Sequence, residues 1–175
     1  ARLLEQRDGL ILGFCNGFQA LIKLGLVPYG RIRETGPADP TLTFNTIGRH
    51  QSGLARVRVS SVKSPWMSRC QVGDIQTLAI SHGEGRFICR PELLEKLALN
   101  GQIAAQYVDE QGCPSLAITA NPNGSAWAVE AITSADGRVL GRMGHPERWV
   151  RGNFQNVPGR YDTGLFESAV EYYRI

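Results

Sequence analysis

Residues 9–26, GLILGFCNGFQALIKLGL, decide the fold. Gly9 to Phe14 is a short, unbroken apolar run, the pattern of a strand buried on both faces in a parallel sheet. From Asn16 onward the apolar positions fall at Phe18, Leu21, Ile22 and Leu26, which share one face of a helix. The spacing therefore predicts a strand that ends, and a helix that starts, at Cys15. Upstream, residues 1–8 read as the end of a polar-faced helix. Downstream, Pro28, Gly30, Gly36, Pro37 and Pro40 mark an irregular stretch. Residues 54–62 alternate apolar and polar, a half-exposed strand, and Gln76–Ser81 and Ile103–Val108 read as two more. A helix opens at Pro91 and closes before Gly101. Residues 109–125 form a loop. Trp127–Ile132 and Arg138–Met143 read as a hairpin across Asp136-Gly137. A last helix over 163–173 would put Leu165, Phe166, Ala169, Val170 and Tyr173 on one face. Strands interleaved with helices predict an α/β fold with some antiparallel pairing. A central-looking strand so near the first residue implies that further strands precede it, so the chain reads as the C-terminal part of a domain.

Composition sets the outer limits. With 175 residues, 42% of them hydrophobic, the chain has room for one domain (1–175) with a true core. A net charge of +3 gives no reason to expect nucleic acid or a membrane surface as partner. No apolar run approaches the ~20 residues of a membrane span, and Ala1-Arg2-Leu3-Leu4-Glu5 lacks a signal-peptide layout. Cys15, Cys70, Cys89 and Cys113 are far apart and form no CxxC pair, which argues against a zinc site or a dense disulfide scaffold and for a reducing, cytoplasmic setting.

Four groups of residues carry chemistry. Gly13-Phe14-Cys15-Asn16-Gly17 has the form G-x-nucleophile-x-G between strand and helix. Side chains at either glycine are expected to collide with strand or helix, and the helix N-terminus is expected to favour the thiolate. The competing reading is a buried structural cysteine. His145-Pro146-Glu147 places an imidazole and a carboxylate two residues apart, on one side of an extended segment, as base and orienter for a nucleophile. His82 and Glu84 in Ser81-His82-Gly83-Glu84-Gly85-Arg86-Phe87 have the same spacing and compete for these roles, while Gly83 and Gly85 permit close backbone approach to a ligand. His50 reads as a surface or loop residue. Asn121-Pro122-Asn123-Gly124-Ser125 reads as a polar turn, with a site-lining role as the second choice.

Taken together, GFCNGFQAL, SHGEGRF, QYVD, NPNGS, ITSADGRVLGRMGHPER and GLFESAVEYY resemble, in order and over nearly the whole chain, the glutamine amidotransferase domains of phosphoribosylformylglycinamidine synthases. GRHQSG and SPWMS are most similar to the large single-chain bacterial form, where this domain is C-terminal. The resemblance implies a class I, triad-type, flavodoxin-like α/β sheet with flanking helices whose N-terminal strands are missing here. It implies glutamine hydrolysis through a cysteine thioester, with ammonia passed to a synthetase domain of the same polypeptide for ATP-dependent amidine formation in purine biosynthesis. Cys15 would be the nucleophile, His145 the general base and acid, and Glu147 the orienter. Gln19, Asn16 and Gly83 would bind substrate, the Asn16 N–H as an oxyanion donor. No cofactor is expected in this domain, and ATP and Mg²⁺ belong to the synthetase part. The family's second oxyanion loop lies upstream of the elbow, so the chain alone is expected to be a weak or inactive glutaminase. Two alternatives remain at this point: another cysteine hydrolase or peptidase with the same elbow, or an inactive module that serves only in interaction.

Overall fold

In a computed structural model of the protein, residues 2–174 are described. The elements in chain order are α1 (Arg2–Gln6), β1 (Ile11–Phe14), α2 (Asn16–Lys23), a one-turn α3 (Leu26–Tyr29), β2 (Thr41–Phe44), β3 (Gln51–Val59), β4 (Ile75–His82), β5 (Glu84–Ile88), α4 (Pro91–Leu99), β6 (Ile103–Tyr107), β7 (Val129–Thr133), β8 (Val139–Arg142) and α5 (Leu165–Tyr172). Six strands form one sheet in the order β1-β8-β7-β6-β3-β4, and β2 pairs with β5 in a second, two-stranded sheet. Only β1 and β8 run parallel, and every other neighbouring pair in the large sheet is antiparallel. Beyond β8 the chain crosses to the far edge of the sheet order, where the His145 N–H donates to Ala79 O of β4 at 2.8 Å. The sheet is therefore curled, and this closure carries the end of β8 towards the end of β4.

Helices cover both faces. Phe18, Leu21 and Ile22 of α2 and Leu94 and Leu97 of α4 pack with Val129, Ile132 and Val139 on one side. Leu165 of α5 packs with Val59, Ala105, Ala131 and Leu140 on the other. The apolar spacing read for α2 is the face that is buried. The spacing read for α5 is not: Leu165 and Ser168 are buried, whereas Phe166, Val170 and Tyr173 are half-exposed. Ser168 is drawn inward by polar contacts, since its hydroxyl donates to Gly164 O at 2.7 Å and accepts from the Arg69 N–H at 3.2 Å.

Two further departures have physical causes. The hairpin's first strand begins at Val129 rather than Trp127, because Trp127 and Ala128 hold left-handed φ values of 49° and 55° that break the extended backbone. Strand β2 follows directly on the irregular stretch that ends at Pro40, where no strand was read. Its four residues are short, and its partner β5 is distant in sequence, so local patterning does not reveal it. Among the described residues, no helix is long and apolar enough to cross a membrane.

Candidate active site

Strand β1 delivers Cys15 to a forced bend. The parallel register with β8 runs to Phe14 opposite Arg142, and the Cys15 N–H donates to Arg142 O at 2.9 Å. Helix α2 starts at the next residue. The chain must turn from strand to helix within one residue, and Cys15 absorbs that turn at φ 48°, ψ −108°. A non-glycine residue held there costs about 1–3 kcal/mol, strain of the kind that clusters at functional positions. Gly13 is required by packing: a Cβ there would lie 2.6 Å from Leu21 Cδ1 and 2.7 Å from the Gly17 backbone carbon. Gly17 corrects the sequence expectation. A Cβ at that position meets nothing within 4 Å, so only the first glycine of the motif is sterically forced.

His145 and Glu147 form the second half. The His145 Nδ1–H donates to Glu147 Oε1 at 2.6 Å. Pro146 opens a single 3₁₀ turn over Pro146–Arg148, which folds the carboxylate back onto the ring. This pairing fixes the tautomer of the neutral ring, in which Nε2 is the acceptor nitrogen. Nε2 is buried and has no protein partner. The two halves meet across β4: the Cys15 thiol donates to Ser81 O at 3.7 Å, and the His145 N–H is bound to Ala79 O two residues earlier on that strand.

Burial decides the resting state of the thiol. Desolvation raises its pKa above 9.0, outweighing the Asn16 N–H and the Arg148 charge, which favour thiolate; the Glu147 charge adds to the rise. The helix start was expected to win this contest and does not. Half-buried and resting on a carbonyl, Cys15 is a protonated thiol until a base takes its proton.

A cleft of about 400 Å³ opens over the sulfur. Cys15, Asn16, Gln19, His50, Ser81, His82, Gly83 and Glu84 line it, so the fold brings Asn16, Gln19 and Gly83 beside the nucleophile. The Gln19 side-chain amide donates to Glu84 O at 2.7 Å, tying the first turn of α2 to the start of β5. His50, read from the sequence as a surface or loop residue, is exposed but sits in this cleft, bound to Ser81 Oγ at 3.1 Å.

The rival pair is not a pair. His82 Nδ1 meets Asn45 Oδ1 at 3.2 Å rather than Glu84, and burial pushes its pKa down to about 4. His82 is thus neutral near pH 7. Gly85 serves packing rather than ligand approach, because a Cβ there would lie 2.7 Å from Met143 Cε and 3.0 Å from His82 Nδ1. Residues 121–125 form the polar turn read from the sequence, with the Gly124 N–H donating to Asn121 O at 3.2 Å, and Asn121, Asn123 and Ser125 are buried in it. The Asn123 amide donates to Gly85 O at 2.8 Å and Ser125 Oγ accepts from the Phe87 N–H at 3.0 Å, bracing β5 behind the cleft.

The sequence reading missed a buried ion pair. Arg142 and Glu130 are fully buried and paired through two contacts of 2.9 and 3.2 Å. Glu130 Oε1 also accepts the Gly144 N–H at 2.8 Å. Since Arg142 O receives the Cys15 N–H, this pair ties the backbone of the nucleophile to the backbone just before His145. The available signal was Glu130, a charged residue inside the apolar run of β7 and next to Ala131, which pairs with Arg142. All four cysteines are free thiols, and no group of three or more His, Cys, Asp or Glu side chains is arranged to hold a metal ion among the described residues.

A family model described as the CobB/CobQ-like glutamine amidotransferase domain matches residues 1–173. The chain is 36% identical over 168 residues to the phosphoribosylformylglycinamidine synthase subunit PurQ of Symbiobacterium thermophilum, covering 95% of this chain and 64% of that protein. It is 38% identical over 138 residues to the same-named subunit of Thermomicrobium roseum, covering 79% of this chain and 53% of the relative. Among solved structures, PurLQS from Thermotoga maritima matches with a TM-score of 0.68 at 24% identity, over 93% of this chain and 61% of that one, a likeness of fold. The chain thus spans less than two thirds of the length of these curated relatives, 64% in the first case.

Proposed function

Because the chain belongs to the CobB/CobQ-like glutamine amidotransferase domain family, we propose that it is the glutamine-hydrolysing part of a phosphoribosylformylglycinamidine synthase. The observation that carries this reading is the strained Cys15, bonded to Ser81 of β4, with a buried imidazole bound two residues earlier on the same strand, its Nδ1 held by Glu147 and its Nε2 unpartnered. Substrate glutamine enters the cleft with its side-chain amide over Cys15, in reach of Gln19 and Gly83. His145 Nε2 takes the thiol proton and the sulfur attacks the amide carbon. The Asn16 N–H, next after the nucleophile, stabilises the oxyanion. His145 returns the proton to the leaving nitrogen and ammonia departs, leaving a γ-glutamyl thioester. The same imidazole then activates water, and glutamate is released. Glu147 keeps the ring in one tautomer and stabilises its cationic form. A peptidase with the same elbow would need a cleft open to a chain on both sides of the scissile amide. A non-catalytic module would have no use for the strain at Cys15.

Ammonia then passes to a synthetase, to which ATP and Mg²⁺ belong, for conversion of formylglycinamide ribonucleotide to the amidine in cytoplasmic purine biosynthesis. GRHQSG and SPWMS favour a synthetase on the same polypeptide. The relatives' designation as a subunit favours a separate chain, and the mass of the native polypeptide decides between them. The test of the chemistry is mass spectrometry after treatment with the diazoketone analogue of glutamine. Addition at Cys15, lost in Cys15→Ala but kept in Cys70→Ala, is expected. In the complete synthase, His145→Ala should lose glutamine-dependent synthesis and keep ammonia-dependent synthesis. Loss of both, or labelling at another cysteine, overturns the assignment.

A further inference from the structure

Strand β3 is fully paired on one side only. β4 runs antiparallel beside it from Gln51, opposite His82, to Arg58, opposite Ile75, whereas β6 meets it only from Val57 to Val59. Arg56 O accepts the Val108 N–H at 3.1 Å, so the backbone groups of Arg56 point to the β6 side. In an antiparallel strand that direction repeats every second residue, which sends the N–H and C=O of Leu54 and Ser52 the same way. Among the described residues no strand pairs with them there. This open edge borders a cleft of about 620 Å³, whose other side is the loop after β6, with Glu110 and Ile118. The cleft lies on the opposite edge of the β3–β4 pair from Ser81 O and Ala79 O, which receive Cys15 and His145.

Side chains tie the loop to both ends of the open stretch. At one end the Gln51 amide donates to Pro122 O at 3.0 Å. At the other the Arg56 guanidinium donates to Asp109 O at 3.1 Å and to Glu110 O at 2.8 Å. Gly53 stands between them, and neither conformation nor packing calls for a glycine. Its φ is not left-handed, and a Cβ there would meet nothing within 4 Å. A glycine inside a strand weakens it and often marks the close approach of another backbone. An uncovered edge is itself a template for pairing, and Ser52 and Gly53 are exposed on this one. One end also carries a defined charge. The Arg56 guanidinium is committed to carbonyls, and the Asp109 and Glu110 carboxylates form no ion pair among the described residues.

We propose that this edge binds an extended segment of a partner protein as an added antiparallel strand along Ser52–Arg56. The segment prolongs the line of β6, which is itself antiparallel to β3. Main-chain bonds to Ser52 and Leu54 supply the hold, and side chains at alternate positions select the sequence. The bare Gly53 takes a large apolar side chain of the incoming strand, directed towards Ile80 and Ile118 in the cleft. Two residues of opposite charge need do the rest: a lysine or arginine at the N-terminal end of the segment meets Glu110.

Hydrogen exchange with residue-level fragmentation reads the edge in the native protein. Without a probe, the Ser52 and Leu54 amides should exchange near the rate of an unfolded chain, while those of Gly53 and Ala55, which face β4, are protected. The probe is the peptide acetyl-KTTFT-amide, whose first, third and fifth amides would face β3. A few backbone bonds correspond to a dissociation constant near millimolar, so calorimetry follows binding to about 10 mM. Binding should protect Ser52 and Leu54. N-methylation of the third amide should weaken the probe about tenfold or more, and of the second, which faces away, less than about twofold. Gly53→Val should weaken it about tenfold while the melting temperature stays within about 2 °C. Glu110→Lys should weaken it about 2–5-fold and favour acetyl-ETTFT-amide by a similar factor. No saturable binding, equal binding of the two N-methylated probes, or Ser52 and Leu54 amides already protected without a probe (by a second copy at high protein concentration included) overturns the proposal. The N-methyl comparison uses the unaltered protein, so it decides even where a variant does not fold.

Discussion

Replacing Glu130 by Gln tests whether the buried ion pair holds the two halves of the site together. The substitution keeps volume and one acceptor oxygen, so the Gly144 N–H can still be satisfied. It removes the carboxylate paired with the fully buried Arg142, whose Nη1 already lacks a partner. Breaking a buried pair by neutralising one member costs about 3–5 kcal/mol, because the remaining charge is left in a low-dielectric interior. For a chain of this size each kcal/mol moves the melting temperature by ~2–4 °C, so Glu130→Gln should lower it by roughly 6–20 °C. Circular dichroism melts and urea titration read this directly. The double variant Glu130→Leu with Arg142→Met removes both charges. It should lie within about 1–3 kcal/mol of wild type, the cost of an unpaired Gly144 N–H. The site should report the same event, because Arg142 O carries the Cys15 N–H and Glu130 carries Gly144. Glu130→Gln should slow Cys15 labelling below its melting transition. A loss under about 1 kcal/mol in the single variant, or a double variant less stable than the single, would refute the reasoning.

Two further outcomes follow from the geometry. Gly13→Ala should cost about 1–3 kcal/mol or more, since its Cβ would meet Leu21 and the Gly17 backbone, whereas Gly17→Ala should stay within about 1 kcal/mol of wild type, both read by urea denaturation. His82 gives a pH signature: its native pKa of about 4 lies below the ordinary 6.5, so the unfolded chain binds the proton first as pH falls. Stability should decline from pH 6.5 downward, by roughly 3 kcal/mol once pH is below 4, and His82→Gln should flatten that part of the profile.

What the sequence made legible is what local chain physics controls. The apolar run into a helix-spaced pattern placed the bend at Cys15 correctly, because one strand and one helix share that residue. The Asp136-Gly137 turn fixed the antiparallel pairing of β7 and β8 for the same reason: the signal and the structure occupy the same few residues. The pairing of His145 with Glu147 across one proline is also local. Illegible was everything set by closure of the sheet. The bond from His145 to Ala79 depends on the curl of the whole sheet, while the Asn45 grip on His82 and the arrival of His50 in the cleft depend on the pairing of β2 with β5 and of β3 with β4. Side-chain burial followed the same divide. The face of α2 could be read because apolar residues alone cover it, while α5 turned Ser168 inward to serve backbone groups that hydrophobic periodicity does not count.

The protonation state of Cys15 shows how such distant contacts change the chemistry. Read alone, the sulfur at the start of α2 invites a standing thiolate, since helix N-termini favour negative charge by about 0.3–1 kcal/mol. Burial between β1, α2 and β4 opposes this and prevails, and the Ser81 carbonyl accepts the proton rather than repelling it. A thiol kept neutral reacts poorly with adventitious electrophiles and with oxidants. In the proposed reaction it becomes a nucleophile when His145 Nε2 takes its proton, and that nitrogen is buried and has no hydrogen-bond partner. On that proposal, the burial that accompanies the packing of β1, α2 and β4 also keeps the resting sulfur protonated.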